Sequence, residues 1–272
     1  MKRVLKILAF LAGLGLLAGV LWFANSLVGN PISKSIATKA AKAYLEENYA
    51  HVDCYIERVD FNFKDTNYYA VVKSESSVDT HFSIYLSGMG KVMYDTYDSV
   101  ENKWNTARRL DQEYRELTDR VFESESFPYK ERIIYGSLEI GRKEDLESEE
   151  TNIPEYALIQ DDLELDGVYD IRAIGAQSGE LVLYVDSTTV TVEKAARVLL
   201  EIKQYMDDAG VPFRAIDFML QYPPSEEAEG EEEDLIWIEN FLYENLYEEG
   251  LEERIRQADE ARRDAEKDAG KW

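Results

Sequence analysis

Asp79, His81 and Ser83 stand at every second position of Asp79-Thr80-His81-Phe82-Ser83, so on a β-strand all three project from one face. A carboxylate, an imidazole and a hydroxyl are the parts of a Ser-His-Asp hydrolase, in which the imidazole bridges its partners by hydrogen bonds. Side chains two apart on a strand have their bases about 6.5–7 Å from one another. That spacing permits contact but makes poor triad geometry, and no G-x-S-x-G elbow accompanies it. The alternate residues Phe82, Ile84 and Leu86 read as core, which leaves the polar trio as the other face of a half-buried sheet. A structural Asp79–His81 interaction is the first reading of the pair, and a ligand-binding role, rather than a catalytic one, is the alternative that makes both residues candidates. Arg108 and Arg109 follow Trp104-Asn105-Thr106. Paired guanidinium groups beside an aromatic ring can hold a carboxylate or phosphate, so both join the candidates. Helical spacing also offers them Asp111, Glu113 and Glu116 as partners that would fix a helix on its sheet.

The remaining chemistry is thin. Cys54 with nearby His51 suggests a thiol–imidazole pair, but a lone cysteine in a strand reads as a small apolar residue. With one Cys and two His, neither a disulfide nor a transition-metal site is spelled out. No EF-hand spacing occurs; weak Ca²⁺ attraction by acidic surface is the residual metal reading. Gly88 and Gly90 make a turn, not a phosphate loop. No cofactor is implied and no catalytic residue emerges. Tyr44, Tyr68, Tyr69, Tyr85, Tyr94, Tyr97 and Tyr114 read as half-buried structural residues or as lining for a groove or interface.

The formal net charge of the 272-residue chain is −25; residues 1–33 carry Lys2, Arg3 and Lys6 and no acid, so the rest holds −28. Such a surface repels nucleic acids and anionic headgroups, which argues against nucleic-acid binding. An apolar fraction of 45% excludes wholesale disorder.

Ile7–Phe23 contains no charged or strongly polar side chain, and Ile7–Val28 as a helix is long enough to cross a hydrocarbon core of about 30 Å. Trp22-Phe23-Ala24-Asn25-Ser26 is a poor cleavage site, and Cys54 lies too far downstream for a lipoprotein signal. An uncleaved single-pass anchor is expected. Lys2, Arg3 and Lys6 favour a cytoplasmic N-terminus, against a weaker bias from Lys34, Lys39 and Lys42, and Trp22 and Phe23 would sit at the outer interface.

Beyond it, Gly29-Asn30-Pro31 ends one helix and starts another over Ile32–Asn48, with Ile36, Ala40 and Ala43 or Tyr44 as its apolar stripe. Residues 55–63 alternate, Val59, Phe61 and Phe63 sharing a face. Lys64–Asn67 reads as a turn, Tyr68–Lys73, Phe82–Leu86 and Lys91–Thr96 as further strands, and Ser99–Phe122 as a helix with the stripe Ala107, Leu110, Tyr114, Leu117, Val121. Ile133–Ile140 reads as a strand and Arg142–Asn152 as an acidic loop. Val168–Ile174 and Leu181–Asp186 read as a hairpin about Gln177-Ser178-Gly179. Thr191 caps a helix over Val192–Ala209, and Val211–Gln221 returns as a strand, stopped by Pro223-Pro224. Leu235, Ile238, Leu242 and Leu246 read as a short amphipathic helix, and the tail to Trp272 as a solvated helix. No internal repeat is found.

The expected class is α+β: an N-terminal transmembrane helix (residues 1–29), a helix–antiparallel meander–helix domain (30–125), a small ββαβ domain (126–224), and an acidic linker and helical tail (225–272).

Gly29-Asn30-Pro31-Ile32-Ser33, Ala43-Tyr44-Leu45, Phe63-Lys64-Asp65, Ser77-Val78-Asp79-Thr80-His81-Phe82, Asp95-Thr96-Tyr97 and Trp104-Asn105-Thr106-Ala107-Arg108-Arg109-Leu110 together resemble the YfjL-like proteins. Tyr169-Asp170-Ile171, Phe213 and Ile216-Asp217-Phe218 resemble the C-terminal domain of the same family. The likeness covers about residues 28–222 and not the acidic stretch and tail. It implies a two-domain, membrane-anchored envelope protein of Gram-positive bacteria, and no activity or catalytic residue. The combined expectation is a membrane-tethered, extracytoplasmic, non-enzymatic module that binds an envelope protein partner. The alternatives are a sensor or small-ligand or Ca²⁺-binding module, and then an envelope hydrolase.

Overall fold

A computed structural model describes residues 2–129, 133–146, 153–223 and 235–268 and, of these, not the side chains of residues 2, 5, 9, 21, 22, 24–26 and 268. Trp22, expected at a membrane interface, and the linker at 225–234 lie outside this description. The protein is α+β and divides into two compact units, Met1–Asn105 and Thr106–Trp272.

The first unit opens with α1 (Lys2–Val28). Among the described residues no helix is long and apolar enough to cross a membrane. Gly29, at φ +74°, ends α1. Asn30 is extended and its Oδ1 accepts from Ser33 N at 2.8 Å, and Pro31 opens α2 (Pro31–Asn48). These are the cap and first-turn roles that Gly, Asn and Pro fill best. Strands β1 (Cys54–Asn62), β2 (Asn67–Ser74), β3 (His81–Leu86) and β4 (Val92–Asp95) form the expected antiparallel meander, in the order β1-β2-β3-β4. A bulge between Ile56 and Arg58 shifts the alternation of β1, so Ile56, Val59 and Phe61 pack inward while Phe63 lies past the strand end, 55% exposed. The core consists of Val59, Tyr68, Ala70, Val72, Phe82, Ile84 and Leu86 under Ala37, Ala41 and Leu45 of α2. The helix is thus turned by one residue from the expected stripe. Ala37, Ala41 and Ala70 are fully buried, and small side chains there let backbone approach backbone.

A short α3 (Asp98–Glu101) and α4 (Trp104–Phe122) stand where one long helix was expected; Lys103, at φ +61°, separates them. The boundary between the units falls just inside α4. Its stripe is as expected, but Ala107, Leu110, Tyr114, Leu117 and Val121 belong to the core of the second unit, not to the meander.

The second unit continues with β5 (Ile134–Leu138), β6 (Ile140–Gly141), α5 (Lys143–Leu146), β7 (Leu158–Ile159), α6 (Ile171–Ser178), β8 (Gly179–Asp186), α7 (Val192–Asp208), β9 (Ala215–Gln221), β10 (Ile236–Leu242) and α8 (Leu251–Asp268). Its sheet runs β10-β9-β8-β5; β8 and β9 are parallel and the other pairs antiparallel. Parallel neighbours need a crossover, and α7 supplies it, burying Ala195, Val198, Leu199, Ile202 and Met206.

The expected loop Arg142–Asn152 holds the short helix α5, and its residues 147–152 lie outside the described residues. Three further elements depart from expectation. Residues 171–178 form a helix, not a hairpin strand: the Asp170 carboxylate caps the N–H groups of Arg172 and Ala173. Gly175 and Gly179 leave room for the Tyr114 side chain, whose ring a Cβ at Gly175 and whose hydroxyl a Cβ at Gly179 would meet at 2.4 Å, and that hydroxyl donates to Pro212 O at 3.0 Å. Residues 236–242 form a strand, not a helix. A bulge between Ile238 and Phe241, with Asn240 at φ +51°, adds one residue to the alternation, so the strand buries Ile236, Ile238 and Phe241 rather than the expected Leu235, Ile238 and Leu242. The tail is docked rather than solvated. Leu251 and Ile255 are buried in the second core. The Arg262 guanidinium lies 4.5 Å from the centre of the Trp237 ring and its Nε donates to Trp237 O at 3.1 Å. The second unit thus runs past residue 224.

Candidate functional site

The four candidate residues fall in both units. In the first, Asp79 lies in the turn before β3 and is buried, whereas His81 starts the strand and is exposed. Asp79, His81 and Ser83 therefore do not form one row on an open face. The turn is held from several sides. Ser77 Oγ donates to Thr80 Oγ1 at 2.6 Å and accepts from Thr80 N at 2.9 Å. Asn105 Nδ2 donates to Asp79 O at 2.9 Å and to His81 O at 2.8 Å. Asp79 is thus built into a structural turn. In the second unit, Arg108 is exposed. Arg109 is engaged within the fold, its Nη1 2.9 Å from Glu113 Oε1 and its Nη2 donating to Gly167 O at 2.8 Å. The intrahelical reading with Glu113 is the one realised. Cys54 is half-buried, and burial, then the Asp53 charge, pushes its thiol up, opposite to what an activated nucleophile needs. Among the described residues no three His, Cys, Asp or Glu side chains are grouped to hold a metal ion.

His81 and Ser83 instead join a larger surface. The face of the first sheet opposite its core carries Asp60, Tyr69, Tyr85 and Tyr94 in one cross-strand row, and Lys73 beside His81 and Val71 beside Ser83 in the rows next to it. The ring centres of Tyr69 and Tyr85 are 6.0 Å apart. Those of Tyr85 and Tyr94 are 4.5 Å apart at an interplanar angle of 15°, a stacked pair. Tyr94 is 52% exposed. Burial pushes the Tyr85 phenol above its ordinary value, so it stays a neutral donor and acceptor. Along β1 the face is bordered by ion pairs: Lys73 Nζ lies 2.6 Å from Glu57 Oε1 and Arg58 Nε 2.9 Å from Asp60 Oδ2. The hydrogen bond from Lys73 holds the Glu57 carboxyl below the usual carboxylate range. A ladder of tyrosine rings with charged borders suits contact with another surface; the rings supply area at low entropic cost.

A second cluster lies on the sheet of the other unit. Glu180 and Asp217 alternate with core residues of β8 and β9 and so point to the opposite face. Glu139 follows β5 and hydrogen-bonds to Glu180. Burial, reinforced by Asp217 and Glu139, pushes the Glu180 carboxyl up to about 8. Burial also raises Glu139, and raises Asp217 against an opposing hydrogen bond from Asn240 N at 2.7 Å. Tyr156, its phenol raised mainly by burial, donates to Asn240 Oδ1 at 2.6 Å. This cluster was not anticipated. Its sequence signal is an acid inside an apolar strand, as in Gly179-Glu180-Leu181-Val182 and Ile216-Asp217-Phe218.

These features define a two-unit α+β protein with an apolar N-terminal helix and an open, tyrosine-laddered sheet. Residues 2–96 match the family described as YfjL-like, N-terminal domain, and residues 113–256 match the YfjL-like C-terminal domain. The chain belongs to the YfjL-like family. Comparison with curated proteins and with solved structures returned no match.

Proposed function

We propose that the protein is a membrane-tethered, non-enzymatic binding module of the Gram-positive cell envelope. In this reading α1 is a single span, the N-terminus is cytoplasmic, and both α+β units lie outside. The tether is supported by the uncharged sequence Ile7–Phe23 and by the length of α1, 27 residues, or about 40 Å at 1.5 Å per residue. It is supported also by the exposure of Leu8, Leu11, Leu14, Leu16, Leu17 and Val20, which at about 100° per residue are spread over all sides of the helix. A helix apolar all round calls for apolar surroundings, of which a bilayer is one. Lys2, Arg3 and Lys6 support the orientation.

The observation that carries the binding role is the Tyr69–Tyr85–Tyr94 ladder on an open sheet face, with a protein partner as its occupant. Full-length protein crosslinked in native membranes should retain one partner that the double variant Tyr85→Ser, Tyr94→Ser loses while its thermal stability stays near that of the parent. A partner retained by the double variant overturns the assignment of this face.

A further inference from the structure

The end of the first unit where α1 joins the sheet differs in character from the rest of this acidic molecule. Asn30 N donates to the Tyr68 hydroxyl at 2.9 Å, and that hydroxyl donates back to Asn30 O at 3.1 Å, so the chain leaving α1 is fastened to β2. A Cβ on Gly29 would meet Tyr68 Oη at 2.6 Å and Phe61 at 2.8 Å; only glycine fits this close approach at positive φ. The β3–β4 turn lies against α2, where a Cβ on Gly90 would meet Ile36 at 2.9 Å and Ala40 at 3.2 Å. The β1–β2 turn begins two residues after Phe61, at Phe63. Three segments therefore gather around the end of α1: the start of α2 and two hairpin turns.

Their exposed residues include large apolar ones. Met89 is 82% exposed, Ile32 74% and Phe63 55%. Their charges run against the molecule: residues 29–43, 60–67 and 86–92 hold Lys34, Lys39, Lys42, Lys64 and Lys91 against Asp60 and Asp65 alone, in a chain of net charge −25. Screening confines a surface charge to about 8–10 Å, so what approaches this end meets its local positive excess and not the acidic remainder.

We propose that this end of the first unit seats on an anionic phospholipid surface, with Phe63, Met89 and Ile32 entering the headgroup region and Lys34, Lys64 and Lys91 meeting the lipid phosphates. The inference rests on the tether reading, which brings α1, and hence these turns, to the bilayer. Apolar side chains at headgroup depth combined with lysines at the phosphates are the usual means of interfacial seating.

The full chain, reconstituted in phosphatidylcholine vesicles containing about a third phosphatidylglycerol, tests it. An environment-sensitive fluorophore is placed on Phe63→Cys, on Met89→Cys and, as a control in the turn between β2 and β3, on Glu75→Cys, each in a Cys54→Ser background. Labels at 63 and 89 should emit blue-shifted light and be quenched by spin-labelled lipid, and the label at 75 should not. Adding Lys64→Glu and Lys91→Glu should return the first two toward the control. Labels at 63 and 89 as wet as that at 75, or contact unaltered by the charge reversals, overturn the proposal. Retention of the chain on the vesicles through an alkaline wash reads the tether separately. Retention with wet labels sinks the seating alone, and loss in the wash sinks the tether and the seating with it. If Cys54→Ser does not fold, the same labels in the native Cys54 background, corrected for the labelled parent, repeat the measurement.

Discussion

Replacing Glu180 by Gln should stabilise the second unit at about pH 8 and change little at about pH 5. Glu180 projects from the far face of β8, beside Glu139 and Asp217, with Glu239 adding to the negative field. Burial is the main reason its carboxyl rises from 4.5 to about 8. Below the lower value folded and unfolded chains both hold the proton, and the group is neutral toward stability. Between the two values the unfolded chain releases the proton and the folded one retains it, so stability falls as pH rises. Above the upper value the folded protein carries the full cost of an enclosed charge. For an isolated, enclosed carboxyl the rise corresponds to about 5 kcal/mol. Glu180 is only partly enclosed and shares its proton with Glu139, and solvent screening reduces the expectation to about 1–2 kcal/mol. For a unit of this size that is a gain of about 2–8 °C in Tm. The assay is thermal unfolding of the detergent-solubilised full chain, parent against Glu180→Gln, across the interval. A gain that grows with pH is expected. A variant that is less stable than the parent at the upper pH, or whose effect is the same at both ends, refutes the reasoning.

Two further outcomes follow from the packing. Ile255 of α8 is fully buried in the second core, so Ile255→Ala should cost about 2–4 kcal/mol in denaturant unfolding, where a merely solvated tail would show almost nothing. Asn105→Ala removes both hydrogen bonds to the carbonyls of Asp79 and His81. It should cost about 1–3 kcal/mol and speed amide exchange in the turn at residues 77–81, and unchanged exchange there would refute the clamp.

What could be read from the residues was whatever rests on local periodicity and local capping. The meander was legible because each strand alternates, and its turns carry Gly, Asn and Asp at the positions turn geometry favours. Gly29-Asn30-Pro31 and Thr191 marked helix ends through the backbone groups they satisfy, and those caps are present. The stripe of α4 was visible as spacing, as was that of α7. Which core a stripe enters is not a local property: α4 follows the meander in sequence but packs with the second unit. The bulge in β10 hid the strand, because one inserted residue breaks the period of two into steps of two and three and leaves no alternation to read. Asp170 caps α6 where a strand was expected, and Gly175 and Gly179 leave the space that Tyr114, distant in the chain, occupies. The tyrosine row and the Glu139–Glu180–Asp217 cluster exist only once strands are in register, since their members lie far apart along the chain. The sequence by itself determined the element types wherever neighbouring residues agree. Tertiary structure alone decided which faces meet, because burial and pairing depend on residues that are distant in the chain and adjacent only in the fold.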